Sequence, residues 1–443
     1  MSAYVLPQEP EFAALVGLDW GDRHHHWALQ SADASRPTET GRLENTPEAI
    51  QLWAAQLSHR FGGRPIAVAL EQQRGAIVYM LSRHAHLVLF AVPPGMSAAY
   101  RQAFRPSGAK NDPGDTALLL ELLTCHRDRL YRYDPDTPDT RLLQLLVQQR
   151  RQTIDDKTAV VLRLTDCLKQ YFPHVLRWFA SVDSPLVADL LERWPTLDQL
   201  QHANPAKLRR FLQQHNCRQP ERIQQQIDDI YAAIPASVDE VILEACSRRA
   251  LGLVKRLRAL WPTIQELEAR IHELTVRHPD APIFASLPGA GAATVPRLIA
   301  AFGTRRDRFQ SAYQVQCFAG IAPVQKASGK TCVIAFRSAC PKFLRQTFHE
   351  FAGQSIRFSA WAKAFYEQRR ARGVPHHSAV RALAAKWIRI VFRCWQDGQP
   401  YDEQRYLNSL RRRGSLLGPA FGQPTQAKWT LVAGFQKPSI DFS

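Results

Sequence analysis

The N-terminal part of the chain alternates short apolar runs with amphipathic stretches. Residues 45–61 carry apolar positions at helical spacing, with Asn45 or Thr46 as the cap and Pro47 in the first turn. Residues 75–84 predict a second helix. Four apolar runs predict strands, at residues 14–20, 24–30, 64–71 and 86–94. Strands that alternate with helices in this way predict an α/β layer with a mixed sheet.

The middle of the chain has a helical pattern only. Residues 141–172 contain neither glycine nor proline and repeat apolar positions at i, i+3 and i+4. Polar segments rich in glutamine and arginine extend this pattern to about residue 278. We predict an all-helical region in which residues 141–170 and 240–277 pair as an antiparallel coiled coil.

A third pattern begins at residue 283. Two short predicted helices flank the sequence Pro-Gly-Ala-Gly at 288–291 and resemble a helix-hairpin-helix, whose backbone amides can hold a DNA phosphate. Further helices with mixed basic and aromatic faces are predicted at residues 341–368 and 376–395. Their helical spacing predicts core positions for Trp361, Trp387 and Trp395.

These patterns predict four segments of different character. They are an α/β domain at 1–139, a helical linker or oligomerisation region at 140–278, a mostly α-helical domain at 279–400, and a tail at 401–443 that contains RRRG at 411–414.

The charge balance indicates a class of binding partner. The 443 residues include 57 Lys and Arg against 40 Asp and Glu, a net charge of +17. An excess of this size, spread over many segments, favours a polyanionic partner such as nucleic acid, although a basic soluble protein without one stays an alternative.

Cysteine spacing and apolar run lengths exclude several other classes. Eight cysteines occur without a C-x-x-C pair, which argues against a zinc ribbon and against a disulfide framework. The N-terminal segment lacks a basic region followed by an apolar stretch, and no run of 18 apolar residues occurs. We therefore expect no secretory signal, no membrane span and a cytoplasmic location.

The stretch IAPVQKASGKTC, residues 321–332, ends like a nucleotide-binding loop. A P-loop needs a glycine six positions before its lysine, so that the chain can fold its amides around phosphate oxygens. Val324 occupies that position, and its β-branched side chain suits such a turn poorly. The residues alone leave two interpretations, a simple turn or a serine, Ser328, placed to attack a substrate.

Four acidic residues of the predicted α/β domain follow a common pattern. Asp19 and Glu71 end predicted strands, whereas Asp112 and Asp115 lie three apart at the start of a predicted helix and can share its face. Carboxylates from separate elements are what two magnesium ions about 4 Å apart require in phosphoryl transfer. Each has an ordinary alternative: Asp112 as a helix cap, Glu71 as a solvated residue, and Asp22 as a rival to Asp19.

Several stretches together resemble the DEDD transposases of bacterial insertion sequences. In the N-terminal half these are GLDWG (17–21), ALEQQRG (69–75) and GAKNDPGDTALLLELL (108–123). In the C-terminal half they are FASLPGAGAATVPRLIAAFG, RFQSAYQVQCFAGIAPVQKASGK and FLRQTF. The first group resembles a RuvC-like, RNase H-like domain, and the second resembles that family's C-terminal transposase domain.

The resemblance implies a function and a site. It implies an RNA-guided recombinase that joins donor and target DNA through a covalent phosphoserine, with a structured bridge RNA as the guide. It implies Ser328 as the nucleophile and Mg²⁺ bound by Asp19, Glu71, Asp112 and Asp115. It also implies a homotetramer, a dimer of dimers, in which the serine of one protomer completes the acids of another.

Basic residues around Ser328 and the departures from the family pattern complete the expectations. Flanking phosphates are expected at four side chains, those of Lys326, Lys330, Arg337 and Arg345. The family commonly has a lysine a few residues after the first acid, whereas this chain reads DWGDRHHH, which leaves the roles of Arg23 and His24–His26 open. These histidines are expected to be solvated or to face DNA.

Two other functions stay open at this point. One is a RuvC-like, metal-dependent DNA junction endonuclease that would use the four acids and water, without a covalent serine. The other is a non-enzymatic RNA-binding structural protein with decayed acids.

Overall fold

The computed structural model describes residues 12–32, 37–72, 74–104, 112–328, 331–335 and 337–412. Within these ranges the side chains of residues 112, 113, 326, 328 and 331–333 lie outside the description. The chain forms two compact units, Met1–Pro135 and Asp136–Ser443.

The first unit is built on a six-stranded mixed sheet in the order β3-β2-β1-β4-β5-β6. Its strands are Ala14–Asp19 (β1), His24–Ser31 (β2), Glu39–Glu44 (β3), Ile66–Leu70 (β4), Leu87–Ala91 (β5) and Tyr131–Arg132 (β6). β1, β4 and β5 are parallel, and the other pairs are antiparallel. The predicted strands and the mixed α/β sheet are thus confirmed, whereas β3 and β6 were not predicted.

Four helices cover the two faces of this sheet. They are Pro47–Arg60 (α1), Ala76–Leu81 (α2), Pro94–Phe104 (α3) and Asp112–His126 (α4). Thr46 Oγ1 accepts a hydrogen bond from Ala49 N at 3.3 Å, so Thr46 rather than Asn45 caps α1. In β4, Val68 and Leu70 pack with α1 and α2, whereas Ala67 and Ala69 share a core with α4. The alternation of large and small residues along β4 therefore sets which helix lies on which face.

Small residues let α4 lie very close to the centre of the sheet. The strand register places Gly17 of β1 opposite Ala28 of β2 and Ala69 of β4. A Cβ atom at Gly17 would lie 2.6 Å from Leu120 N and closer still to the carbonyl oxygen of Thr116. Glycine is therefore the residue that the contact between β1 and the backbone of α4 requires.

Two contacts fix the direction of α4 along the sheet. Thr116 and Leu120 lie over Gly17, near the carboxyl end of β1. The Arg127 guanidinium, which follows α4, lies 5.1 Å from the centroid of the Phe12 ring, before β1 begins. The N-terminus of α4 consequently faces the carboxyl end of β1.

The second unit begins with two long helices and a cap of short ones. They are Pro138–Tyr171 (α5), His174–Trp178 (α6), Pro185–Arg193 (α7), Leu197–Gln201 (α8), Pro205–Gln214 (α9), Pro220–Ala232 (α10) and Glu240–Arg277 (α11). Arg150 pairs with Glu268 at 2.5 Å, and Cys167 Sγ donates to the carbonyl oxygen of Cys246 at 3.3 Å. Because positions late in α5 contact positions early in α11, the predicted antiparallel pairing is confirmed.

The remainder of the second unit is a helical domain with one β-hairpin. Its elements are Ala281–Ala285 (α12), Val295–Phe302 (α13), Ala312–Phe318 (α14), Val324–Ser328 (β7), Thr331–Ala335 (β8), Lys342–Phe358 (α15), Ala360–Ala371 (α16), His376–Asp397 (α17) and Glu403–Arg412 (α18). Its core contains Trp361, Trp387 and Trp395, which are fully buried as predicted. None of the helices in the described ranges is long and apolar enough to cross a membrane.

The core of this domain also includes residues of the two long helices. Leu143 of α5 and Ile271 of α11 pack in the same cluster as α12–α17. The far ends of the long helices, with Cys167 and Cys246, form a second cluster with α6–α10. The predicted domain boundary at 278/279 stays a prediction, since side chains on both sides of it share one core.

The predicted turn at Gly289 packs inside the protein. Two short helices, α12 and α13, flank it as expected. Gly289 has a φ of +83°, and a Cβ atom there would lie 3.1 Å from the backbone of Gln354 and the ring of Phe358, both in α15. This glycine therefore serves the contact with α15, and its role toward a DNA phosphate stays a prediction.

We expect Gly17→Ala to destabilise the first unit by about 1–3 kcal/mol, because the added methyl group collides with the backbone of α4. Gly95→Ala is the matched control, since a Cβ atom there would meet nothing within 4 Å. Alanine is the better helix former, so that control should be neutral or stabilising by up to about 1 kcal/mol. Urea unfolding measures both, and equal stability of the two variants would contradict the close contact.

Candidate active site

Two of the predicted acids meet at one edge of the sheet. Asp19 is the last residue of β1, and Glu71 follows the last residue of β4. The parallel register pairs Leu18 with Leu70, so the next position on each strand is an acid. Side chains alternate between faces along a strand, so Asp19 projects to the same face as Gly17, the face that α4 covers.

A third acid comes from the first turns of α4. Asp115 is buried, with 8% of its surface exposed, and immediately precedes Thr116, which contacts Gly17. Because the N-terminus of α4 faces the carboxyl end of β1, Asp115 lies toward the edge where Asp19 and Glu71 end. Asp112 begins the helix, as predicted, and its side chain lies outside the described residues.

Asp115 has a cationic partner that the sequence did not reveal. Arg101 Nη2 of α3 donates to Asp115 Oδ1 at 2.5 Å, and both side chains are mostly buried. Arg101 precedes residues 105–111, which separate α3 from α4, so only the fold brings the pair together. The guanidinium neutralises a carboxylate that would otherwise be buried as a lone charge.

The loop after Asp19 is held by residues of the neighbouring strands. Gly21 N donates to Nδ1 of His25 at 3.3 Å, and Asn45 Nδ2 donates to the carbonyl oxygen of Asp22 at 3.1 Å. Burial lowers the pKa of His25, against the opposing effect of its hydrogen bond with Asn45. The neutral ring therefore fixes the backbone that follows the first acid.

These contacts correct one expectation about the histidine run. His24 is exposed, but His25 is fully buried, so the expectation of solvated or DNA-facing histidines is wrong for His25. The reason is the two-residue period of β2, which turns the middle histidine inward. The rival acid Asp22 lies exposed in the loop between β1 and β2.

The donor chemistry of this edge fits a hard divalent cation. Carboxylate oxygens are the ligands that Mg²⁺ prefers, and strands β1 and β4 present two of them in register. Among the side chains that the structure describes, no set of three or more histidine, cysteine or acidic residues is close enough to hold a metal ion. That set leaves out the Asp112 side chain. Of the described residues, Asp19, Glu71 and Asp115 are the ones that a bound ion would draw together.

Ser328 ends the first strand of the hairpin in the second unit. The register pairs Ser328 with Thr331, and Gly329 and Lys330 between them lie outside the described residues. The side chains of Ser328 and Lys326 lie outside them as well. Ser328 therefore lies at the end of a hairpin strand. The two interpretations of this residue, a simple turn or a nucleophile, both stay open at this point.

The other two predicted phosphate-binding residues hold the loop behind the hairpin. Arg337 Nε donates to the carbonyl oxygen of Ala322 at 3.3 Å. Arg345 Nη1 of α15 donates to the carbonyl oxygen of Arg337 at 3.2 Å and to Cys340 Sγ at 3.4 Å. Part of each guanidinium is thus used within the protein, and their contact with nucleic acid stays a prediction.

Comparison with known families decides the class of protein. Residues 16–173 match a DEDD-type family model of IS110 elements described as a transposase, and residues 281–367 match the transposase IS116/IS110/IS902 family. The two matches include Asp19, Glu71, Asp112, Asp115 and Ser328 and together span more than half of the chain. The chain belongs to the IS110 family of transposases.

Relatives of this family align over almost the whole chain. The mini-circle protein for IS117 of Streptomyces coelicolor, which its name describes as a transposase, is 26% identical over 90% of this chain and 97% of its own length. A 43.6 kDa protein of insertion element IS110 from the same organism is 26% identical over 89% of this chain and 96% of its own. A 42 kDa protein of IS900 from Mycobacterium paratuberculosis is 24% identical over 87% and 96%.

Membership in the IS110 family makes the chain a DNA transposase, an enzyme that cuts and rejoins DNA. The non-enzymatic structural alternative is thereby set aside. A DEDD-type transposase family also agrees with the use of a divalent metal ion at the acidic edge of the sheet.

We expect Asp115→Asn to abolish DNA cleavage and to cost about 1–3 kcal/mol of stability, because Arg101 keeps a hydrogen-bond acceptor but loses its counter-charge. The amide still accepts a hydrogen bond from Arg101, but it removes a ligand charge. Glu121→Gln, on the same helix, is the matched control, because its carboxylate accepts from Tyr100 Oη at 3.0 Å and is expected to have no role in cleavage. A nicking assay with magnesium and thermal unfolding measure the two effects. Near-normal cleavage by Asp115→Asn would reduce this acid to the structural partner of Arg101.

Proposed function

We propose that this transposase is an RNA-guided recombinase of an insertion sequence, which joins donor and target DNA through a covalent phosphoserine on Ser328. The observation that carries the proposal is that Asp19 and Glu71 follow paired positions of two parallel strands, and that the buried Asp115 lies in the first turns of the helix packed on β1. It is supported by the family matches, which include both this edge and the serine-bearing hairpin.

The reaction exchanges one phosphate ester for another. The Ser328 oxygen attacks a DNA phosphorus and loses its proton, and the bond from phosphorus to one deoxyribose oxygen breaks. The released oxygen takes up a proton and becomes a free hydroxyl group. The phosphoserine conserves the ester bond, so a second DNA hydroxyl can displace the serine and rejoin the strand.

The acidic edge assists this exchange in the proposal. A divalent cation held there, Mg²⁺ in our proposal, would neutralise charge on the phosphate and favour the ionised form of the attacking and leaving oxygens. The protein supplies the carboxylates in fixed positions, since Asp19 and Glu71 end hydrogen-bonded strands and Asp115 is buried. Its loop after Asp19 is held by His25 and Asn45, which keeps the first acid in place.

A homotetramer and a guide RNA complete the proposal. The acids belong to the first unit and Ser328 to the second, which allows the serine of one protomer to serve the acids of another. The net charge of +17 supports a second polyanion besides DNA. In this arrangement the choice of donor and target sequence belongs to the RNA.

The alternative function is a junction endonuclease that uses water. The acidic edge alone would suffice for it, because metal-assisted hydrolysis needs carboxylates and no protein nucleophile. The two functions differ in one product, a covalent bond between protein and DNA.

Ser328→Ala separates these two functions. We expect the variant to fold and bind DNA normally, since one deleted oxygen in a hairpin changes stability by only about 0.5 kcal/mol. The covalent adduct and the recombined product should both be lost. Labelled DNA, guide RNA and magnesium are incubated with each protein and resolved on a denaturing protein gel.

The control for this assay is Ser338→Ala, which removes an exposed serine from the loop after the hairpin and should keep the adduct. A labelled band that persists in Ser328→Ala would place the nucleophile elsewhere. If the wild-type protein forms no band while Ser328→Ala still nicks DNA, the water-using endonuclease is the better description.

RNA that copurifies with the protein tests whether the recombinase uses a guide RNA. We expect protein purified at low salt to carry a structured RNA that dissociates steeply as salt rises, because each neutralised phosphate releases counterions. The nucleic acid is extracted, treated with ribonuclease or deoxyribonuclease, and sequenced. Protein that is free of RNA and still recombines DNA would contradict RNA guidance.

A further inference from the structure

A long groove runs along helix α17 in the second unit. Its volume is about 1460 Å³, and α17 forms its floor. Helix α16 contributes Phe365 and Arg369 to the walls, and α18 contributes Arg405. One end is lined by Pro323 and Ile334, where the hairpin that carries Ser328 joins the domain.

The lining of this α17 groove is strongly basic. It includes eight arginine or lysine side chains and two aspartates. One of the aspartates, Asp397, is already paired with Arg393 at 2.6 Å. Along the floor, Arg389 and Arg393 are one helical turn, about 6 Å, apart, close to the separation of neighbouring phosphates along one strand.

Two of the cations are held in place by rings. Arg369 and Lys386 lie 5.0 and 4.9 Å from the centroid of the Phe365 ring, and Lys386 lies 5.3 Å from that of Trp361. Within the described ranges, no carboxylate forms an ion pair with Arg369, Lys386 or Arg389. Arg369 and Lys386 are thus ordered in advance by aromatic contacts, which lowers the entropic cost of binding an anion.

The electrostatic environment of Lys386 favours a bound anion. Burial lowers the pKa of Lys386, and the nearby charges of Arg389 and Arg369 lower it further. A phosphate between these three side chains would remove the repulsion.

We propose that the α17 groove binds a single strand of DNA that leads toward the hairpin of Ser328. This inference deepens the proposed function and rests on it. A basic channel with aromatic side chains is the usual design for single-stranded nucleic acid, whose backbone follows the cations while its bases meet rings and apolar walls. Strand exchange requires a broken strand to stay bound while it waits for its new partner.

Other occupants fit the groove less well. Duplex DNA is a wide convex cylinder, whereas this site is a slot between helices and a hairpin. The C-terminal tail of the chain, residues 413–443, contains Arg413, Lys428 and Lys437 against Asp441, so its charge does not complement the groove.

The test compares two pairs of charge-neutralised arginines in the full-length protein. Arg369→Gln/Arg389→Gln removes two groove cations, and Arg163→Gln/Arg256→Gln removes two exposed arginines from the long helices α5 and α11. Fluorescence anisotropy measures the affinity of a labelled single-stranded oligodeoxynucleotide over a range of salt. We expect the groove variant to bind about tenfold more weakly, with a salt slope shallower by about 1.4, while the control pair matches the wild type.

Further arms identify the ligand and guard against misfolding. Arg389→Lys keeps the charge at an exposed position and should retain the wild-type salt slope. Equal losses in both double variants, or a loss that affects duplex DNA or RNA but not single-stranded DNA, would overturn the proposal.

The groove and the serine mechanism can fail separately. If Ser328→Ala keeps the covalent adduct while the groove variant still loses the single strand, the nucleophile is wrong and the groove stands. If the groove variant binds normally while Ser328→Ala loses the adduct, the groove assignment is wrong and the mechanism stands.

Discussion

The contact of helix α4 with strand β1 at Gly17 is the constraint on which the acidic edge depends. Without a side chain at Gly17, the backbone at Thr116 and Leu120 rests directly on the central strand. The neighbouring strands carry the small side chains of Ala28 and Ala69 beside Gly17, so they too allow α4 to approach the sheet closely. This close fit fixes the first turn of α4 beside the ends of β1 and β4, and Arg101 makes a buried carboxylate tolerable there.

The second unit carries the basic groove that we propose binds nucleic acid. Its two long helices share a core with the C-terminal helices, and this core includes three buried tryptophans. The hairpin of Ser328 extends from this well-packed domain. On the surface of this domain, Arg369 of α16 and Lys386 of α17 are held in place by aromatic rings. The proposed nucleophile on the hairpin and the proposed strand-binding groove would together suit an enzyme that cuts a strand and keeps it bound.

Sequence patterns predicted the elements better than the contacts between them. The strands around Asp19 and Glu71, the antiparallel long helices and the buried tryptophans followed from periodicity, because large apolar side chains determine them. Strand β3 escaped prediction because it is a polar edge strand with Leu43 as its buried residue.

The contacts that the sequence did not reveal join distant segments. Arg101 and Asp115 lie on separate helices, and the α17 groove combines three helices with a hairpin. The inward turn of His25 depends on the strand pairing of β2, which the run of three histidines hides. None of these contacts corresponds to a local sequence pattern, because only the packing of the folded chain brings the residues together.

Cleavage of the protein backbone by hydroxyl radicals from bound Fe²⁺ tests the acidic edge most directly. Fe²⁺ takes the place of the proposed Mg²⁺, and ascorbate with peroxide generates radicals that cut the chain close to the ion. We expect cuts at the ends of β1 and β4 and in the first turn of α4, near Asp19, Glu71 and Asp115, and the loss of these cuts in Asp115→Asn. Cuts at other places, or a pattern that Asp115→Asn leaves unchanged, would contradict it.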